Sequence, residues 1–228
     1  MSFHSLGSDG ADEIKIYLGK YSGDRNEKEE RHGEGKALLP NGDEYQGQYR
    51  NGQRHGFGKY KFVSRKARYE GEYFENERSG QGTLWYPDGS VYEGAWAGGQ
   101  RNGYGVYTYP NGDKYEGEWK EDRRHGRGEY IYKDQGLRYK GNWGNGKFED
   151  EGHLITPNYT YTGNFNGEEP VGPGRFQFDT GCEQKGEYVT RRMVRRTNTM
   201  REVVHVPVWR CLTLYGAGLR VIKLPKEC

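Results

Sequence analysis

The sequence predicts an all-β chain, a single-layer antiparallel array of β-hairpins drawn out into an elongated, twisted ribbon. Three observations predict it. A Tyr-x-Gly-x-aromatic pattern recurs along most of the 228 residues at a nearly fixed period, the mark of a repeat architecture. A second pattern, Gly-x-Gly, follows in phase about eleven residues later. The composition fits neither a thick globule nor a disordered coil. Only 35 of the 228 residues are Leu, Ile, Val or Phe, and the mean hydropathy is −1.17, which alone would suggest disorder. Yet there are 37 Gly, 20 Tyr and 5 Trp, and disordered chains are poor in aromatics. A core built from these residues is rings laid on glycines, which makes a thin sheet.

The first pattern starts at Tyr17 (YLGKY), Tyr45 (YQGQY), Tyr69 (YEGEY), Tyr92 (YEGAW), Tyr115 (YEGEW), Tyr139 (YKGNW) and Tyr161 (YTGNF), with a degenerate eighth copy at Gln184 (QKGEY). The spacings are 28, 24, 23, 23, 24, 22 and 23. The second pattern is Gly56/Gly58, Gly80/Gly82, Gly103/Gly105, Gly126/Gly128 and Gly172/Gly174. In the first unit it is Gly33/Gly35, delayed by a charged insertion around Asn26 to Glu30, and in the sixth it has become Asp150/Gly152.

Each unit reads as two strands. Alternate residues of a strand face opposite sides, so Tyr115, Gly117 and Trp119 share one face while Glu116 and Glu118 share the other. The same parity carries Gly126, Gly128, Tyr130 and Tyr132. Turn formers punctuate the array: Asn51-Gly52 and Asn145-Gly146 within units, and Asn41-Gly42, Asp88-Gly89 and Asn111-Gly112, each after a proline, between them. The reading is a meander of about sixteen strands. At ~4.8 Å per strand it runs roughly 75 Å before twist shortens it. Glycine weakens a strand, so its regular place on the ring-bearing face needs a cause, which is space: a neighbouring ring lies over the bare backbone. One unit cannot bury its own face, and stability comes from stacking neighbours.

Within residues 92–132 the chain carries YEGEW, a short polar link, RHGRG, an aromatic pair and PNGDKY, and this resembles the MORN (membrane occupation and recognition nexus) repeat. The resemblance covers about residues 17–188 and implies a grooved, twisted single-sheet scaffold. Two phrases, GDRNEKEERHGEGKALLPNGDEYQGQY (23–49) and PVGPGRFQFDTGCEQKGEY (170–188), are similar to the MORN proteins of the radial spoke head of motile cilia. That resemblance implies other radial spoke head proteins as partners, a place in the cytoskeleton of the cilium or flagellum axoneme, and a part in cilium movement. The chain departs from those proteins in its last residues, which are basic where theirs continue into a long acidic tail.

Three regions follow: a flexible N-terminus (1–16), the repeat array (17–189) and a basic, non-repeat C-terminal tail (190–228). The tail holds nine Lys/Arg against two Asp/Glu, a charge of +7, which leaves −5 for residues 1–189 of a chain whose total is +2. So near-neutral a chain is no electrostatic nucleic-acid binder. The run Arg191-Arg192-Met193-Val194-Arg195-Arg196 reads as a solvated tail, with a nuclear-localisation signal or a patch for anionic phospholipid as the alternatives. The apolar stretch after it leaves three readings open: a docking segment for a partner, a cap on the sheet edge, or an isoform-specific ending. No run of 18 apolar residues and no signal-like N-terminus occurs, which predicts an intracellular, cytoplasmic protein. Cys182, Cys211 and Cys228 lack CxxC spacing, as expected of a reducing compartment.

Catalysis has no support in these residues. The Gly-x-Gly pairs are too many to be phosphate loops, and no helix pattern or Gly-Lys-Ser/Thr follows any of them. His32, His55 and His125 recur at one repeat position, and adjacent equivalents stand two strands or roughly 10 Å apart, too far to share a metal. They read as polar link residues that bond a neighbouring turn. No cofactor and no metal are expected. The candidate partner-binding residues are the ring-face aromatics of the most regular units: Tyr92, Trp96, Tyr107, Tyr109, Tyr115, Trp119, Tyr130 and Tyr132. A protein scaffold is the favoured reading. A MORN adaptor binding anionic phospholipid or a non-axonemal protein is the alternative, and the −5 of residues 1–189 argues against the lipid.

Overall fold

Two-residue turns close the hairpins, and their backbone dictates the meander. Asn51-Gly52, Glu75-Asn76, Gly98-Gly99, Glu121-Asp122 and Asn145-Gly146 all have positive φ at both positions, the geometry whose twist matches that of paired strands. A computed structural model describes residues 19–196, 201–216 and 219–223. The N-terminus (1–16), Tyr17 and Cys228 lie outside the described residues.

The strands are β1 (Lys20–Arg25), β2 (Arg31–Leu38), β3 (Glu44–Arg50), β4 (Gln53–Phe62), β5 (Ala67–Phe74) and β6 (Glu77–Trp85). Next come β7 (Val91–Ala97), β8 (Gln100–Thr108), β9 (Lys114–Lys120), β10 (Arg123–Tyr132), β11 (Leu137–Gly144) and β12 (Lys147–Ile155). The last are β13 (Tyr159–Asn166), β14 (Glu169–Phe178), β15 (Glu183–Arg196), β16 (Arg201–Gly216) and β17 (Leu219–Lys223). Each pairs antiparallel with the next, in one sheet of 17 strands with no helix among the described residues. The all-β, single-layer meander read from the sequence is the observed fold.

One register runs through it. Gly23 pairs with Gly35, Gly35 with Gly47, Gly47 with Gly58, and so on without interruption to Gly174 with Gly186. Fifteen glycines therefore form a straight row across β1 to β15, and Cys211 of β16 ends it. The reason is the space the sequence pattern implied. A Cβ on Gly117 would stand 2.5 Å from the Gly128 Cα and 2.8 Å from the Tyr115 hydroxyl. A Cβ on Gly128 would meet the Tyr115 hydroxyl at 2.5 Å and its ring at 2.7 Å. Gly94/Gly105 under Tyr92 and Gly47/Gly58 under Tyr45 repeat the arrangement.

In five consecutive units the leading tyrosine lies along its own strand, and its hydroxyl donates to the carbonyl three residues on. Tyr45 reaches Gln48, Tyr69 Glu72, Tyr92 Ala95, Tyr115 Glu118 and Tyr139 Asn142, all at 2.8–3.1 Å. In three of these units the residue at that third position faces the other side and secures the bulge of the following strand. Glu118 accepts from the Arg127 amide at 3.0 Å, Glu72 from Gln81 at 2.9 Å and Gln48 from Phe57 at 3.1 Å.

This frame corrects the first unit. Its leading tyrosine is Tyr21, not Tyr17: Gly23 joins the glycine row, Tyr21 covers Gly35, and its hydroxyl donates to Asp24 O at 2.7 Å. The spacing to Tyr45 is then 24, and the anomalous 28 disappears. Requiring an aromatic four residues on hides Tyr21, because that position is Arg25, whose guanidinium sits 5.3 Å from the Tyr21 ring. The basic run read as a solvated tail is exposed at Arg191 to Arg195 and is also paired strand. Residues 190–196 and 201–216 are strand, and Trp209 packs 4.9 Å from Phe176 and 5.2 Å from Tyr188.

Two outcomes are expected. Gly117→Val should destabilise the fold by ~2–3 kcal/mol in urea unfolding, because neither the Gly128 backbone nor the Tyr115 ring can withdraw. An unchanged transition would count against the packing argument. Asp150 carries φ +53 where other units place a left-handed glycine, so Asp150→Gly should raise the melting temperature, worth ~1 kcal/mol.

Candidate functional site

The ring face carries two aromatic rows. The inner row fills the channel above the glycines. It is a continuous succession of edge-to-face contacts from Tyr21 through Tyr49, Tyr45, Tyr73 and Tyr69 to Trp96, centroids 5.1–5.4 Å apart. From there it passes through Tyr92, Trp119, Tyr115, Trp143 and Tyr139 to Phe165, at 5.0–5.4 Å. Each such pair contributes about 0.5–1.5 kcal/mol beyond its buried area. The indole N–H groups of Trp96, Trp119 and Trp143 donate to the carbonyls of Gly82, Gly105 and Gly128 at 3.1–3.2 Å.

An arginine closes each regular unit from above. Arg78, Arg101 and Arg124 stand 4.2, 4.3 and 4.4 Å from the indoles of Trp96, Trp119 and Trp143. Their Nη2 atoms donate to Gly99 O, Asp122 O and Gly146 O in the turn of the next hairpin, at 2.5–2.8 Å. Arg54 does the same between Tyr45, Tyr60 and Tyr73 and the Asn76 carbonyl. In the sixth unit Phe148 takes this position and stacks on Tyr139 at 3.6 Å. Sequence reasoning missed these arginines. The signal was there, in the residue before each histidine or its equivalent (Arg31, Arg54, Arg78, Arg101 and Arg124), always two before the Gly-x-Gly pair.

The candidate residues divide between the rows. Tyr92 and Tyr115 have 0% exposure, Trp96 3% and Trp119 5%. The structure therefore corrects the expectation for these four: their rings are the core of the sheet, and a partner cannot reach them. Tyr107, Tyr109, Tyr130 and Tyr132 are half-buried in an outer row that begins at Tyr86. Its successive centroids, Tyr86 to Tyr107, Tyr109, Tyr130 and Tyr132, lie 5.7, 4.6, 5.5 and 4.5 Å apart. Loop residues of the preceding unit hold two of the hydroxyls: Tyr107 donates to Ser90 Oγ at 2.7 Å and Tyr130 to Asp113 at 3.1 Å. Beside the end of the row lies a 240 Å³ hollow lined by Tyr109, Tyr132, Arg124, Lys147, Phe148 and Glu168. Tyr86 was readable as the aromatic before Pro87, the counterpart of Tyr109 before Pro110.

The histidines do not converge. His32 Nδ1 accepts from the Asn51 amide at 3.4 Å, and His55 packs 5.4 Å from Phe74. Among the described residues no group of His, Cys, Asp or Glu is arranged to hold a metal ion, and no helix is long and apolar enough to cross a membrane. The arrangement presents a strip of half-buried phenols with guanidiniums beside them.

A single sheet of hairpins locked by repeated Tyr, Gly and Arg positions is the architecture of a repeat protein. The MORN repeat family matches residues 30–44, 45–65, 69–91, 92–114, 115–137 and 161–183. The chain is 56% identical over 182 residues to the radial spoke head 1 homolog of Cyprinus carpio, covering 80% of this chain and 83% of that protein. It is 49% identical over 213 residues to the radial spoke head 1 homolog of Mus musculus, covering 92% and 70%. A MORN repeat-containing protein 3 of Xenopus laevis matches at 47% over 51 residues, 22% of this chain and 21% of that protein. The chain belongs to the MORN-repeat family and, within it, to the radial spoke head 1 homologs. Among solved structures, the SAS-4 (dCPAP) TCP domain of Drosophila melanogaster, in complex with a proline-rich motif of Ana2 (dSTIL), covers 79% of this chain and 96% of its own. It does so at 11% identity and a TM-score of 0.45, too loose a likeness to carry an argument.

Burial also sets the behaviour in alkali. It pushes the Tyr161 phenol from 10.0 up to about 12 and raises those of Tyr92 and Tyr115 as well. A raised phenol pKa means that the folded state holds the neutral form. The stability this supplies is complete below pH ~10 and is lost as pH rises through the folded-state value. The phenolate absorbance of the inner row is therefore expected to appear together with the loss of β-sheet circular dichroism, well above pH 10. Its appearance in a sheet that is still folded would overturn the burial assignment.

Proposed function

We propose that the protein is a non-catalytic structural scaffold of the axonemal radial spoke head, which binds other spoke-head proteins and supports ciliary and flagellar motility. The identity of 49–56% to radial spoke head 1 homologs over most of the chain carries this reading. The physical support is the outer tyrosine row. Tyr107, Tyr109, Tyr130 and Tyr132 project from a backbone fixed on both sides by neighbouring hairpins, so a partner meets ordered rings and pays little ordering entropy. Tyrosine and arginine side by side at a surface are the residue types that dominate interface energetics. The protein belongs in the detergent-resistant axoneme, within the cytoskeleton.

The test is capture of the tagged chain from detergent-extracted ciliated cells, followed by mass spectrometry of what is bound. Other radial spoke head proteins are expected in the axonemal fraction. Tyr109→Ala with Tyr132→Ala should reduce that capture at least tenfold, ~1.4 kcal/mol or more, while the circular dichroism stays that of the parent. Recovery in the detergent-soluble membrane fraction, without axonemal partners, would reverse the reading in favour of a phospholipid adaptor.

A further inference from the structure

The sixth unit lacks the arginine that the units before it share. Arg54, Arg78, Arg101 and Arg124 each stand nine residues after the leading tyrosine of their unit, and in the sixth that position is Phe148. Its ring is buried and stacks on Tyr139 at 3.6 Å. The 240 Å³ hollow at the end of the outer tyrosine row opens beside it.

The fifth unit shows what a filled position holds. The Arg124 guanidinium lies 4.4 Å from the Trp143 ring, its Nη2 donates to Gly146 O in the turn of the next hairpin at 2.6 Å, and its Nη1 to the Tyr109 hydroxyl at 3.5 Å. Tyr109 and Tyr132 each stand 17 residues after their leading tyrosine, and Gly146 and Glu168 each stand 7 after theirs. One unit further on, the counterparts of Tyr109, Arg124 and Gly146 are therefore Tyr132, Phe148 and Glu168. All three line the hollow, so its walls are the contacts of a guanidinium that this unit does not supply.

Charge points the same way. The Glu168 side chain is exposed and makes no ion pair among the described residues. Burial first and this carboxylate second raise the Tyr132 phenol, and Arg124 opposes them less strongly. Arg124 and Lys147 also line the hollow. Arg124 is committed to Trp143 and Gly146 O, and guanidiniums one unit apart are already the rule from Arg54 to Arg124. Lys147 holds the position of Arg123, which adjoins Arg124 in the fifth unit, so a cation there is compatible with a guanidinium beside it. A carboxylate entering the hollow would meet Glu168, and an aliphatic group would strip water from that carboxylate without replacing its hydrogen bonds. A guanidinium suits rings and acid together. Its face stacks on aromatic side chains while its N–H groups point in fixed directions to oxygen acceptors, which the compact ammonium of lysine cannot match.

We propose that this hollow receives an arginine side chain of a protein partner, which completes the sixth unit in trans. The inference rests on the scaffold reading, because Tyr109 and Tyr132 belong to the strip that binds spoke-head proteins there, and it names the chemistry those rings meet.

Isothermal titration calorimetry of the full chain with the capped peptide acetyl-Gly-Arg-Gly-amide tests it. The arginine peptide should bind at least tenfold more tightly than its citrulline counterpart, which keeps the shape and loses the charge, or its glutamate counterpart. Phe148→Arg supplies the guanidinium from within and should weaken the arginine peptide at least tenfold, while the circular dichroism stays that of the parent. Glu168→Gln, at an exposed turn, should weaken it by a similar factor, and it carries the test if Phe148→Arg does not fold. An arginine peptide bound no better than its citrulline counterpart, or bound equally by the wild type and Glu168→Gln, would overturn the proposal. Axonemal capture separates this site from the scaffold reading. A wild type that captures spoke-head proteins, with a folded Phe148→Arg that binds the arginine peptide unchanged, sinks the site and leaves the scaffold. A wild type that captures none, with peptide binding lost in Phe148→Arg, sustains the site and sinks the scaffold.

Discussion

Everything in this sheet depends on a ring lying flat on bare backbone. A single layer has no second layer to bury it, and the inner tyrosines reach full burial only because two paired glycines leave a channel one phenol deep. The cost is real, since glycine surrenders more backbone entropy in a strand than any other residue. The return is threefold: the ring's apolar area leaves water, its edge meets the face of the next aromatic, and its hydroxyl takes a carbonyl of its own strand. Fifteen consecutive glycines in one register show how strict the requirement is. The row ends at Cys211, where the repeat pattern ends as well.

The arginines convert a series of hairpins into one object. Each lies over the indole or phenol of its unit and reaches the turn of the following hairpin, so that turn cannot shift without breaking a charge-assisted hydrogen bond in low-dielectric surroundings. Positive φ at Glu75-Asn76 and Glu121-Asp122, which non-glycine residues adopt at a cost, is held by the same contacts. Outer-face ion pairs such as Lys61–Glu44 are solvent-exposed and contribute little by comparison. Rigidity is also what makes the outer tyrosine row useful as a binding strip: its rings are presented by a backbone fixed from both sides.

Most of the fold was legible in the sequence because period, parity and turn chemistry are all local. The errors came where a local rule met a non-local constraint. YLGKYSGDR contains two overlapping Tyr-x-Gly matches, and only the pairing of Gly23 with Gly35 selects the second. The candidate site was half legible. Parity puts Tyr92 and Tyr107 on the same face, with the Arg101 guanidinium near both rings, but it cannot tell that the first is fully covered and the second half-buried at the margin.

The repeat, the antiparallel meander, the ring face and the charged face are all written in the order of residues, since each follows from spacing along one strand or one turn. Only the tertiary structure decided which aromatics are core and which are surface, because burial depends on what the neighbouring strand brings across the glycine row. The same contacts carry Arg54, Arg78, Arg101 and Arg124 to hairpins about 22 residues away, and they pair residues 190–196 with 201–207 as an extension of the sheet. Those are contacts between segments distant in sequence, and no periodicity within either segment encodes them.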